Sequence, residues 1–532
     1  MSTRAESLHR WLVAIAGLAI ACSVACGDDK AKGASADGGD KPVTGSTRAT
    51  GAKKKPSSNQ ADSGLGDAGV LSMDPSFEGV PTDEIPFGVP PAGCVRGFDA
   101  QSGLLSFELD GKVVAVHLAI VDDALLANGV RCSADDGATV TADEIRAIDV
   151  MGDDGDNLVI LDLSSGAFGA ALLAGDASIS LDLGEGEDRF VLVGTQQQDD
   201  IRLGTLDGEL RVRIGTAGTQ LRALNVESLI ASLGPGTDTF DATGGDSLGT
   251  ALSLACEVFT GDDNDVLHGG AGDDVLHGGA GDEQFYAADS ADGSDVYDGG
   301  EGQDQISYAL RHGPLTITLD DIRNDGEDAE GDDVQSTIED VIGGLGADSM
   351  TGSALANVII GGPGDDQLSG GDGNDTFIEA ERSEGTDVMN GGPGSDTIDY
   401  SARTASLTVT MCAPVSGTCV SGACDCTNDD GEPSELDTLV SVENAVTGSG
   451  DDVLVGDDSS NIFRAGAGDD QVSGGVGDDT LYGEDGDDTL YGGLGEDLLD
   501  GSEGKDSFDG GEGQGDICTV QPNEKLVACE LF

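Results

Sequence analysis

The sequence predicts an all-β chain, a right-handed parallel β-roll or β-solenoid built from Gly/Asp-rich nonapeptides. Three observations carry this expectation. A nonapeptide of the form Gly-Gly-x-Gly-x-Asp-x-apolar-x recurs in tandem from about Thr260 to Asp509. An apolar residue falls two places after the aspartate in copy after copy, as at Leu267, Leu276, Leu368, Phe377, Leu454, Leu481, Leu490, Leu499 and Phe508. With 85 glycines, 4% aromatic residues and a formal net charge of -77, the composition suits one elongated acidic body.

The clearest copies are GGAGDDVLH (269 to 277), GGPGDDQLS (361 to 369), GGDGNDTFI (370 to 378), GGVGDDTLY (474 to 482) and GGLGEDLLD (492 to 500). In each, the glycine half permits positive φ and close backbone approach, and the remaining three residues form a strand whose middle side chain points inward. One copy cannot bury that side chain alone. A coil of two nonapeptides per turn buries a continuous row of them and lines both edges with turns.

The recurring aspartate points to calcium, a hard cation that takes six to eight oxygen ligands where a lone carboxylate offers two. Turn carbonyls and carboxylates from successive turns on one edge supply the rest, and the metal neutralises carboxylates that otherwise repel. Without it, so much charge and so little aromatic surface predict a poorly folded chain.

These repeats resemble the hemolysin-type, or repeats-in-toxin, calcium-binding family over roughly half of the chain. The resemblance implies a calcium-loaded β-roll with sixth-position ligands at Asp265, Asp274, Asp295, Asp304, Asp348, Asp366, Asp375, Asp387, Asp396, Asp452, Asp470, Asp479, Asp488, Asp497 and Asp506. Departures from the motif imply weak or empty sites. Glu283 replaces the aspartate in one copy, Asn357 and Asn461 in two others, and GGEGQGDIC (510 to 518) carries an extra residue before Asp516.

Along the chain, residues 1–26 read as a signal peptide. Arg4 and Arg10 precede an apolar run, Trp11 to Ala21, that is too short to span a bilayer. AIAC (19 to 22) and SVAC (23 to 26) are similar to bacterial lipoprotein cleavage sites and imply a lipid anchor at Cys26 or Cys22; an ordinary secretory signal is the alternative. Residues 27–91 read as a flexible linker rich in Gly, Ser, Asp, Lys and Pro. Residues 92–250 read as a degenerate solenoid with few metal sites: apolar runs such as NLVILDL (157 to 163) and RFVLVG (189 to 194) alternate with DDGD (153 to 156), GEGED (184 to 188) and GPGTD (234 to 238), worn versions of the later turns. A separate β-sandwich is the alternative. Residues 251–518 form the repeat region with inserted loops, and 519–532 a C-terminal cap.

A longer duplication is superposed on the repeats. GSDVYDGGEGQDQISY (293 to 308) recurs as GTDVMNGGPGSDTIDY (385 to 400), and in both copies the nonapeptides then break for a strand, LTITL (315 to 319) or LTVTM (407 to 411), and an acidic loop. The second copy carries twelve extra residues around Cys412, Cys419, Cys424 and Cys426. Their spacing lacks paired Cys-x-x-Cys knuckles, and an exported chain favours disulfides over zinc. Cys94 with Cys132, and Cys518 with Cys529, are further candidate pairs, leaving Cys256 over.

Catalysis has one foothold, GDSLG (245 to 249), which would make Ser247 a hydrolase nucleophile. Its strand-turn-helix setting and histidine base are not evident. No His-Glu-x-x-His occurs, which excludes the zinc-protease form of such proteins. So acidic a chain offers nucleic acid no basic face. The expected function is therefore calcium binding by a non-enzymatic structural protein at the cell exterior or outer-membrane surface, with adhesion through the loops at 320–333 and 412–430 as an alternative.

Overall fold

Three-residue strands and six-residue turns fill most of residues 256–519 in the computed structural model. Each strand pairs in parallel with the strand two repeats away: Leu267 lies opposite Phe285, Val472 opposite Leu490 and Leu481 opposite Leu499. One coil therefore takes two nonapeptides, and successive strands alternate between two faces. This is a parallel β-roll. The structure describes residues 98–531 except 100–101, 110–114, 129, 133–138, 165–178, 216–220, 246–247, 329, 381–384, 412–429, 433–435, 514 and 520–524. All of them belong to one compact unit, Met73–Phe532. Among the described residues the only helical element is a 3-10 turn, Ala142–Glu144.

One face is a single sheet of 21 strands, whereas the strands alternating with it divide into sheets of 10, 5 and 6. Between the faces, the apolar eighth positions stack into one core: Leu267, Leu276, Phe285, Phe377, Phe463, Leu481, Leu490 and Leu499 are fully buried. Each contributes little alone. Stacked in register, they share a dry interior that no isolated repeat could form.

The two divisions coincide with the two sequence breaks, and both are built the same way. At the first, Thr316–Thr318 opens a new sheet with Ser349–Thr351, and the chain then turns back so that Asp333–Val334 closes the preceding sheet on Val296–Gly302. At the second, Thr408–Thr410 opens on Val453–Val455 and Thr438–Val440 closes on Val388–Asn390. One buried carboxylate ties each junction. Asp325 accepts the Thr318 amide at 2.6 Å on one oxygen and the Val334 amide at 2.8 Å on the other; Asp430 does the same with Thr410 at 2.6 Å and Leu439 at 3.4 Å. The breaks, each read from the sequence as a strand followed by an acidic loop, place strands at Thr316–Thr318 and Thr408–Thr410 and are local reversals that keep the roll continuous.

Two fully buried arginines complete these junctions. Arg311 donates to Glu330, Asp292 and the Ala288 carbonyl and lies over the Tyr308 ring. Arg403 pairs with Glu379 at 3.1 Å and Glu432 at 3.7 Å and lies over Tyr400.

Toward the N-terminal end the strands lengthen and part of the pairing becomes antiparallel. Phe98–Asp99 folds back on Leu104–Glu108, and Ala115–Val121, Ala124–Ala127 and Val130–Arg131 form an antiparallel run. Asp200–Leu206, Glu209–Ile214 and Leu221–Leu224 pair antiparallel within the long sheet, between the parallel neighbours Ile179–Asp182 and Thr239–Asp241. At the other end Cys518 and Cys529 form a disulfide. Cys132 is disulfide-bonded as well, and Cys256 is a buried free thiol. The signal and linker segments, Cys22, Cys26, Cys94, Ser247 and the four cysteines from 412 to 426 lie outside the described residues.

Candidate metal centre

The sixth residue of a repeat follows the tight turn and precedes the strand, so its side chain points under the turn and not into solvent. Every one of the fifteen aspartates expected from the sequence is at most 2% exposed. Their carboxylates form rails. On the divided face, the Asp452 amide donates to Asp470 Oδ1 at 2.7 Å, Asp470 to Asp488 at 2.9 Å and Asp488 to Asp506 at 3.0 Å. On the long sheet, Asp199, Asp238 and Asp265 make the same chain, as do Asp479, Asp497 and Asp516 further on. An exposed outer rail runs beside it, in which fifth-position carboxylates accept the next turn's amide, as Asp451, Asp469 and Asp487 do.

This bonding uses one oxygen and strands the other. The buried Oδ2 atoms of Asp265, Asp274, Asp304, Asp375, Asp396, Asp452, Asp470, Asp479, Asp488 and Asp497 have no hydrogen-bond partner. Buried carboxylates in this state demand either a proton or a cation, because desolvating an unpaired charge costs far more than the rail's hydrogen bonds return.

The glycines show what surrounds those oxygens. A Cβ on Gly495 would lie 1.8 Å from the Gly477 carbonyl oxygen of the adjacent coil and 3.2 Å from Asp497 Oδ1, and one on Gly492 would lie 2.3 Å from Asp497 Oδ2 and 2.6 Å from the Gly510 carbonyl oxygen. Gly474 repeats the pattern around Asp479, beside Asp479 Oδ2 and the Gly492 carbonyl oxygen, and Gly477 faces the Ser459 carbonyl oxygen of the adjacent coil. The space left by missing side chains is therefore walled by carbonyl and carboxylate oxygens. An all-oxygen set of this kind fits a hard divalent cation. Among the described residues no three His, Cys, Asp or Glu side chains converge into a metal-binding group.

The asparagine copies provide an internal comparison. Asn357 accepts the Ser353 amide at 2.8 Å and donates Nδ2 to the Glu339 carbonyl at 3.0 Å; Asn461 accepts from Asp457 at 3.2 Å and donates to Glu443 O at 2.6 Å. A neutral amide thus satisfies both of its ends within the protein, where a carboxylate cannot. Glu283 keeps its place on the rail through the Asp304 carboxylate, but both of its own oxygens are buried without partners.

The rungs are not all alike. Asp348 and Asp295 have both oxygens engaged, the former by the Leu315 and Gly344 amides and the latter by the Asp274 amide and the Tyr297 hydroxyl. Asp238, Asp332 and Asp437 are rail members that motif matching missed. Asp332 and Asp437 end their rails with the second oxygen capped by Tyr308 and Tyr400 hydroxyls, at 2.9 and 3.0 Å. A signal was present, since each lies two residues before a buried apolar side chain, Phe240, Val334 or Leu439.

Burial pushes the Asp470 carboxyl up to about 7, that of Asp274 to about 8, and those of Asp265, Asp375, Asp479 and Asp488 to about 6, with neighbouring carboxylates adding and rail amides opposing. Folded values above the ordinary 3.8 mean that protonation stabilises the calcium-free roll. That contribution is complete below about pH 3.8 and is lost as pH rises through about 6 to 8. In chelator, far-ultraviolet circular dichroism is therefore expected to show more β-structure at pH 5 than at pH 8. A flat or opposite profile contradicts the buried rails.

With this geometry in place, comparison with known families matches the RTX calcium-binding nonapeptide repeat over residues 259–292, 289–306, 342–377, 383–400, 446–481 and 482–517. No curated protein sequence matches the chain. The matched segments, about a third of the chain, contain RTX repeats, which are calcium-binding motifs, and their fold is the β-roll described above.

Proposed function

We propose that this is an exported, non-enzymatic calcium-binding protein whose roll is completed by metal outside the cell. The observation that carries the proposal is the row of buried, unpartnered Oδ2 atoms facing turn carbonyls. The ligand carboxylates are Asp265, Asp274, Asp295, Asp304, Asp348, Asp366, Asp375, Asp387, Asp396, Asp452, Asp470, Asp479, Asp488, Asp497 and Asp506. Bound calcium supplies positive charge and oxygen coordination and no redox or hydrolytic chemistry. The carboxylates orient through the rail amides, the glycines let carbonyls of adjacent coils approach, and the apolar eighth positions couple one rung to the next.

Extracellular calcium modules bind at about 10⁻⁴ to 10⁻³ M, so passage from a low-calcium cytoplasm to a millimolar exterior would fold the chain. Proteins with RTX repeats are generally secreted or extracellular, which agrees with the signal-like segment at 1–26; a lipid anchor at Cys26 or Cys22 is part of the proposal and rests on the cleavage-site-like AIAC and SVAC alone. Equilibrium dialysis tests the ligand set. Asp470→Asn, Asp479→Asn and Asp488→Asn together are expected to lower the number of calcium ions bound while leaving the fold in saturating calcium intact, because Asn357 and Asn461 already occupy the same position. Unchanged stoichiometry would reject these residues as ligands.

A further inference from the structure

We infer that the antiparallel strands Asp200–Leu206, Glu209–Ile214 and Leu221–Leu224 carry a binding face for a uronate-containing acidic polysaccharide. Alternating inward residues Ile201, Leu203, Leu210, Val212, Leu221 and Ala223 are buried, which places Arg202, Arg211, Arg213 and Arg222 together on the outer face. The register opposes like charges twice. Arg202 lies directly across from Arg213, and Arg211 directly across from Arg222. Such pairs destabilise a sheet, and their Cβ atoms stand only about 4.5–5.5 Å apart. In a chain with 102 acidic and 25 basic residues, a sheet built for stability alone would set acids opposite these arginines.

Local acids answer only half of the charge. Arg202 pairs with Asp200 at 2.9 Å and Asp241 at 3.8 Å, and Arg211 with Glu209. No described acid pairs with Arg213 or Arg222, and the Nε atoms of Arg211, Arg213 and Arg222 are buried without hydrogen-bond partners. The two unanswered arginines are diagonal neighbours on adjacent strands, about 7–8 Å apart, and each guanidinium fork matches a carboxylate in two-pronged fashion. Along the same outer row, Arg202 is followed by Asp241 and His268, and the His268 ring stacks on Tyr286 with centroids 4.6 Å apart. A flat face with two spaced cations, flanking acids that accept hydroxyl protons and a ring platform suits a sugar chain with intermittent carboxylates. Nucleic acid fits worse, because duplex DNA carries about one charge per 1.7 Å and would run onto the acidic surface on every side.

The test is binding of size-defined hyaluronate oligosaccharides to the calcium-saturated full chain, with neutral dextran and single-stranded DNA as comparisons, for wild type and Arg213→Gln/Arg222→Gln. The expected result is salt-sensitive hyaluronate binding, at least tenfold weaker in the double variant, whose thermal midpoint is equal or higher because repulsion is relieved. Binding undiminished in the variant would mean calcium bridging to the aspartates and would overturn the inference. So would absent hyaluronate binding, a preference for DNA, or a clearly lowered midpoint, which would make the arginines structural. If the glutamine variant does not fold, Arg213→Lys/Arg222→Lys decides: it keeps charge but loses the fork, and wild-type affinity in it overturns the inference.

Discussion

Arg311→Met is expected to lower the stability of the calcium-loaded roll by about 3–5 kcal/mol, the cost of leaving a buried ion-pair partner uncompensated. The guanidinium is fully buried and answers Glu330 and Asp292 at the point where one sheet ends and the next begins. Without it, two acids are left beside Asp332, whose own carboxyl burial already pushes up to about 8. Arg403→Met should behave alike, because Glu379 and Glu432 face the same loss. Urea unfolding followed by circular dichroism measures the cost. Arg311→Met/Glu330→Gln should recover part of it, since contacting partners are not additive. A single substitution that leaves the midpoint unchanged would show that the arginines do not hold the junctions.

Gly495→Ala is expected to disrupt the C-terminal coils by about 4 kcal/mol or more, an exceptional value for adding one methyl group. Its Cβ would sit 1.8 Å from the Gly477 carbonyl oxygen, at a φ of +156°. Adjacent coils would have to separate, moving the carbonyl that walls the space beside Asp497. Calcium affinity and stability should therefore fall together. Gly208→Ala is the matched control: φ is +83° there but nothing lies within 4 Å of the added atom, so only the conformational cost of about 1–2 kcal/mol applies. Equal losses at both positions would show that coil spacing is not what Gly495 protects.

The roll was legible because its phase is strict. An aspartate, one residue of any kind and an apolar residue locate the buried carboxylate and the buried side chain together, and Leu267, Leu481 and Leu490 are as buried as that phase requires. Where the glycines are lost the same phase persists without its frame, which is why Asp332 and Asp437 were missed; Asp238 keeps Gly234 and Gly236, but Leu233 stands in place of the first glycine. The junctions were harder, because backtracking strands depend on contacts far apart in sequence. Even so, Tyr308 and Arg311 recur 92 residues on as Tyr400 and Arg403, and a twice-written arginine in an acidic repeat was a readable sign of a buried ion pair. The antiparallel excursion at 200–224 left no such sign, since strand partners there are chosen by tertiary packing over short, similar apolar runs.

The most direct test of the metal-completed roll is circular dichroism of residues 94–532 at pH 7.5, titrated with Ca²⁺ and separately with Mg²⁺. The rails couple each carboxylate to the next coil, so β-signal should rise steeply and cooperatively with calcium and hardly at all with magnesium. A chain already folded in chelator, and indifferent to calcium, would contradict the account.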